Sequence, residues 1–151
     1  MSKISSIYDN LRTLVSTALG SGYRELTNPF DLQDNDELVL YKAWSVVPGP
    51  GRNTNRIIGC QKSSETEFGI PVVRLLTARD HDIDAKVAII KELLEAQAVI
   101  FTEIEKDSDL GGTCAKAVHV AHSSVEYLEG DRDKYLLLVM SVTAEYLENL
   151  S

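Results

Sequence analysis

The chain has 151 residues, about one domain by the usual length prior, so separate catalytic and binding lobes are not expected. Hydrophobic residues make up 44% of it, enough for a core, which excludes a disordered or collagen-like chain. Fifteen Lys and Arg against 23 Asp and Glu give a formal net charge of −8, the wrong sign for gripping phosphate backbones or anionic membranes over a broad surface.

Ile4, Ile7, Tyr8, Leu11, Leu14, Val15 and Ala18 recur at three- and four-residue spacing and predict a first helix with one apolar stripe. Gly20 and Gly22 stop it. Residues 23–37 carry Asn28-Pro29 and the acids Asp31, Asp34, Asp36 and Glu37, which predict a solvated loop. Leu38 to Val47 is β-branched, aromatic and apolar on both alternating faces, and predicts a strand covered on both sides. Pro48-Gly49-Pro50-Gly51-Arg52-Asn53-Thr54-Asn55-Arg56 then reads as a long hairpin tip, because proline donates no hydrogen bond and Gly and Asn favour unusual backbone angles. Ile57 to Ser63 is the expected return strand. Thr66 to Thr77 supplies a third, with Phe68, Ile70, Val72 and Leu76 on one face and Pro71 suggesting an edge or bulge.

Asp80, Asp82 and Asp84 stand where the positive end of a second helix favours acids, and its expected stripe is Ile83, Val87, Ile90, Leu94, Ala98 and Phe101. Glu103, Glu105, Asp107, Asp109 and Gly111-Gly112 make a polar connection to two long strands, Thr113 to Leu128 and Lys134 to Leu147, joined by a turn at residues 129–133. The expectation is one α+β domain over residues 1–151, a mainly antiparallel sheet with two helices in the order α-β-β-β-α-β-β.

No apolar run approaches the roughly 20 residues needed to span a bilayer, and no secretory h-region follows Met1-Ser2-Lys3. No membrane partner is therefore expected, and folding is placed in a cytosol. Cys60 and Cys114 have neither CxxC nor Cys/His ligand spacing and read as small buried residues. Asp80-His81-Asp82-Ile83-Asp84 opens like a calcium loop, but Ala85 replaces the glycine and Lys91 the closing glutamate, so helix-start acids outweigh a cation site. His119 and His122 fall on opposite faces of the predicted strand and cannot share a metal. With no nucleophile elbow, Walker loop or dinucleotide fingerprint, the expectation is no enzyme, no catalytic residue, no metal and no cofactor. Residues 48–62 hold Arg52, Arg56 and Lys62 and no acid, so the arm is either a solvated loop or a docking arm for the acidic loops of a like or unlike subunit.

Tyr23-Arg24-Glu25-Leu26-Thr27-Asn28-Pro29-Phe30, the strand to Trp44, the Pro48 to Arg56 arm, the Val125 to Tyr135 turn and the closing Ala144-Glu145-Tyr146-Leu147-Glu148 strand resemble the tail terminator (tail completion) proteins of tailed bacteriophages. The resemblance implies a structural virion protein: a ring homo-oligomer, a hexamer, that caps the tail tube protein and meets the head completion or neck protein. DNA would pass through the ring without being tightly held. The docking-arm reading of the charges, with which the resemblance is compatible, places Pro48, Gly49, Pro50, Gly51, Arg52, Asn53, Thr54, Asn55 and Arg56 at a subunit or partner interface. Another head–tail joining protein, or a non-catalytic protein-binding module, is the alternative.

Overall fold

The computed structural model describes residues 3–58, 61–114, 116–119, 124–130 and 133–149. Helix α1 (Lys3–Leu19) follows its predicted stripe and buries Ile7, Leu11 and Val15. Gly20, at φ 71°, ends it in a 3-10 turn over Gly20–Gly22, a left-handed conformation that glycine adopts without strain. The expected 23–37 loop also contains strand β1 (Arg24–Glu25) and a 3-10 turn at Leu32–Asp34.

The predicted strand from Leu38 to Val47 is corrected. Its first part is a one-turn helix, α2 (Glu37–Leu40), and only Lys42–Trp44 forms strand β2. Asp36 decides this: its carboxylate accepts from the Leu38 N–H at 3.4 Å and its carbonyl accepts from Val39 and Leu40, so a local N-cap overrides the β propensity of the residues behind it. The single turn puts Leu40 inside and Leu38 outside.

The predicted hairpin tip is corrected too. Pro48 to Arg56 lies within strand β3 (Val47–Ile58), which pairs antiparallel with β4 (Gln61–Leu76), and the last register pair is Ile58 with Gln61. One long hairpin therefore takes up the predicted tip together with the second and third predicted strands. The register shifts between Pro48 and Gly51, and again between Asn53 and Ile57, and these β-bulges are how a ladder tolerates such a sequence. Gly49 sits in the first bulge, where a Cβ would stand 3.0 Å from the Glu67 carbonyl oxygen. The glycine serves a close backbone approach.

Pro71 is at neither a sheet edge nor a bulge in β4, which holds an unbroken register with β7 (Lys134–Asn149) from Gln61–Asn149 to Leu76–Lys134. On its other side β4 is flanked by β2 at residues 72–74 and by β3 up to Gly69. Pro71 stands at the gap between them, and its carbonyl accepts the Ser45 N–H at 3.1 Å. N–H and C=O of one strand residue point to the same side, so the missing donor falls where the ladder changes partner.

Helix α3 (Ile83–Lys106) is longer than predicted and takes in Glu103 and Glu105. Its buried stripe is Ile89, Leu93, Ala96, Ile100 and Ile104, while Ile83, Val87 and Leu94 of the predicted stripe are exposed. At about 100° per residue the two stripes lie about 110° apart. The helix is apolar on both, and packing selects the second.

The predicted strand from Thr113 to Leu128 is two strands, β5 (Lys116–His119) and β6 (Ser124–Glu129), both antiparallel to β7. Their registers, His119 with Val142 and Ser124 with Val139, differ by two residues, so one continuous ladder is impossible. The predicted turn after β6 is closed by the Gly130 N–H on the Asp133 carbonyl at 2.8 Å.

The seven-stranded sheet runs β1-β2-β4-β7-β5, with β3 beside β4 and β6 beside β7, and β1 parallel to β2. Two long central strands are thus flanked by broken outer rows. Even-numbered residues of β4 and β7, from Phe68 to Val72 and from Leu136 to Tyr146, pack against the buried stripes of α1 and α3. Each such Leu or Ile contributes about 1.5–3 kcal/mol by burial. On the opposite face, Val73, Leu75 and Tyr135 at one end of the sheet are covered by Leu26 and Leu40. This is an α+β fold, as the sequence predicts.

Candidate functional site

The arm singled out by its charge is the outer strand of a sheet. Among the described residues β3 pairs with β4 alone, so the backbone of residues 47–58 has one paired side and one open side. Register places Arg52 opposite Glu65, Glu65 opposite Glu145, and Glu145 opposite Lys116. On three of these strands Glu65, Glu145 and Lys116 therefore carry charges in the order minus, minus, plus on the face away from the helices, where opposite charges across a register pair are favourable and like charges are not. Ser63 Oγ donates to Glu145 Oε1 at 3.3 Å. Arg56 lies inside the second bulge, between the register pairs of Asn53 and Ile57.

The acids of the calcium-like segment have structural partners. Asp80 accepts from the Thr77 N–H at 2.8 Å and the Thr77 hydroxyl at 2.9 Å, and Asp82 caps α3 by accepting from the Ala85 N–H at 2.7 Å. The backbone bond from Thr77 is the main cause that holds the Asp80 carboxyl below its ordinary range, with the Thr77 hydroxyl and Arg74 also favouring the charged form. Among the described residues no three His, Cys, Asp or Glu side chains converge on a metal position. His119 ends β5, and His122 and Cys60 lie outside the described residues. Cys114 is buried, and desolvation together with Asp109 and Asp107 pushes its thiol up to about 11, which leaves it protonated and unreactive near neutrality.

A charge cluster that the sequence did not announce ties the sheet to α3. Arg74, on the helix side of β4, stacks on the Tyr41 ring at 4.2 Å and donates to the Tyr41 hydroxyl at 3.2 Å and to the Leu75 carbonyl. Its Nε lies 3.8 Å from Glu92 Oε2 and its Nη1 3.7 Å from Asp80 Oδ2. Lys42, the register partner of Arg74 on β2, is ion-paired with the same Glu92. One carboxylate from α3 thus clamps two cations from adjacent strands. Burial raises the Tyr23 phenol above its usual value, and Glu92 adds to that shift. Among the described residues no nucleophile meets a base in this cluster, and Arg74 Nε is buried there without a hydrogen-bond partner, 3.8 Å from Glu92 Oε2.

A cleft of about 480 Å³ opens between α1 and the β1 edge, lined in part by Thr13, Ser16, Tyr23 and Trp44. It is crossed by the Arg12–Glu25 pair, whose two hydrogen bonds of 2.7 and 2.8 Å fix both side chains. The Thr13 hydroxyl is turned back onto the Asp9 carbonyl at 3.1 Å.

The features that sequence reasoning missed are two exposed apolar side chains, Phe30 in the loop that follows β1 and Leu38 on the turn of α2. Phe30 is 83% exposed and Leu38 70% exposed. The loop beneath them is locked: Asn35, 5% exposed, accepts from the Asn28 N–H and donates to the carbonyls of Asn28, Asp31 and Leu32 at 2.9 to 3.3 Å. Asn28 in turn accepts from the Phe30 N–H at 3.0 Å and donates to Asp34 at 3.0 Å. The available signal was a lone phenylalanine among turn-forming Asn, Pro and Asp residues, with no apolar periodicity to bury it. Among the described residues no helix is long and apolar enough to cross a membrane. A scan against protein-family models gives no match, and neither does a search of the curated proteins.

Proposed function

We propose that the chain is a structural virion assembly protein that forms a ring, caps the tail tube of a tailed bacteriophage and meets the neck of the head. The observation that carries this reading is the basic segment held as an outer strand with one open edge, in a chain whose other surfaces are mainly acidic. An edge strand with unpaired N–H and C=O groups is a template for a neighbouring chain. A ring needs a heterologous interface, one patch meeting a different patch on the next subunit, and unlike charges on one chain supply such patches. The sequence resemblance adds the tube and the neck as the partners above and below the ring.

Size-exclusion chromatography with light scattering, followed by negative-stain electron microscopy, tests the reading. The expected result is one species of several subunits whose mass stops rising with concentration and whose end-on view is a ring. A strict monomer, or an open filament that grows without limit, overturns it. A transit ring must also release DNA, so duplex DNA titrated at about 0.15 M salt should bind more weakly than the roughly 10⁻⁴–10⁻⁶ M typical of non-specific binders. Micromolar, steeply salt-dependent binding contradicts the passive channel.

A further inference from the structure

We infer that the Phe30–Leu38 loop is the plug by which one copy of this chain docks, head to tail, on the β3 arm of the next copy. Between residues 28 and 41 the sequence has four acids, Asp31, Asp34, Asp36 and Glu37, and no base, whereas residues 48–62 have three bases and no acid. The fold keeps these two stretches apart within one molecule. The loop seats Leu40 and Leu32 on Val73, Leu75 and Tyr135, near the C-terminal end of β4, while Arg52 is in register with Glu65 and Ile58 with Gln61, toward its N-terminal end. At about 3.3 Å per residue, Glu65 and Val73 are about 26 Å apart and Gln61 and Val73 about 40 Å. The Debye length at physiological salt is about 8 Å, so the two patches do not neutralise each other inside a subunit. Their complementarity is available to a second copy.

Charge alone steers and orients an encounter; the exposed apolar side chains Phe30 and Leu38 supply the anchor. Phe30 and Leu38 are among the most exposed large apolar side chains described, and the Asn28 and Asn35 hydrogen bonds fix the backbone that carries Phe30, which lowers the ordering cost on binding. The bound segment, β3, has an open backbone edge among the described residues. Plug and arm are different surfaces of one chain, so the contact is heterologous and propagates until it closes. The inference deepens the ring reading above and rests on it for closure.

The test uses two full-length variants. Phe30→Ala/Leu38→Ala removes the plug at two exposed positions, and Arg52→Glu/Arg56→Glu reverses the arm, with Arg52→Gln/Arg56→Gln as the version that adds no like charge opposite Glu65. Circular dichroism melts confirm that each folds. Each variant alone should assemble at least tenfold more weakly than wild type by light scattering. Mixed in equal amounts, the plug variant still offers an arm and the arm variant a plug, so the mixture should form a heterodimer and stop there. A variant that self-assembles with wild-type affinity, or a mixture with no heterodimer, overturns the inference. Assembly lost in both variants, rescued as a heterodimer, but without rings in the wild type ends the tail reading and leaves the plug; rings that survive both variants do the reverse.

Discussion

The 26–41 loop and the 47–58 arm have the same kind of composition, rich in Asn, Pro and either acid or glycine, and they are ordered by opposite means. In the loop, side chains do the work: Asn28, Asn35 and Asp36 bond to neighbouring backbone, so the fold of the segment is local. In the arm, order comes from a strand distant in sequence, β4, and the bulges absorb what the prolines and Gly49 would otherwise disrupt. Irregular composition therefore says that a segment departs from a regular repeat, and says nothing of whether its partners are near or far. Locally built segments can expose a large side chain such as Phe30 on a rigid mount, whereas register-built segments expose an edge.

Breaking the loop should have the largest effect on stability. Asn35→Ala removes four hydrogen bonds at a buried position, and a loss of about 2–3 kcal/mol in urea denaturation is expected. A loss under about 0.5 kcal/mol would show that the loop is held by its apolar underside alone. Breaking the arm should cost less: Gly49→Val forces a Cβ against the Glu67 carbonyl, with about 1–2 kcal/mol expected and faster amide exchange confined to β3 and its facing part of β4. The cap of α3 offers a purely local reference, since Asp82→Ala removes the bond to Ala85 and should cost about 1 kcal/mol.

Asp80 sharpens the comparison by pH, because it too bonds locally, to Thr77, while reaching Arg74 on β4. A carboxyl whose folded pKa is depressed adds stability that is present above its unfolded value and is lost as pH falls through the folded one. Asp80→Asn should therefore flatten the acid limb of the stability curve below about pH 4 and leave stability unchanged in slope from pH 6 to 8. An unaltered acid limb contradicts the assignment. The smallest effect belongs to Phe30→Ala, which should change monomer stability by less than about 0.5 kcal/mol because the ring is already in water, while weakening assembly. Equal stability and equal assembly would make Phe30 an ordinary exposed residue.

The parts of the fold legible in the sequence were those with one consistent signal. α1 has a single apolar stripe, and Ile7, Leu11 and Val15 are buried as the spacing demands. α3 carries two, and nothing in its own residues tells Ile89-Leu93-Ile100 from Ile83-Val87-Leu94; the difference is made by α1 and the sheet on one side only. The strand predicted from Leu38 failed because one aspartate, Asp36, captured the N–H groups of Leu38, Val39 and Leu40 for a helical turn. At the candidate site, the charge of residues 48–62 was legible as composition, but its position opposite Glu65 depends on a register set by bulges, which no local pattern encodes. Phe30 was passed over because exposure of a phenylalanine runs against its usual burial.

Hydrogen exchange, read by mass spectrometry on wild-type protein diluted to the monomer and concentrated to the assembly, tests the head-to-tail arrangement most directly. Exchange should slow on assembly in two separate stretches, residues 28–38 and 51–58, with the β4–β7 centre around Ile70 and Met140 unchanged. Slowing confined to the outer stripe of α3, at Ile83, Val87 and Leu94, or slowing in one of the two stretches without the other, would contradict it.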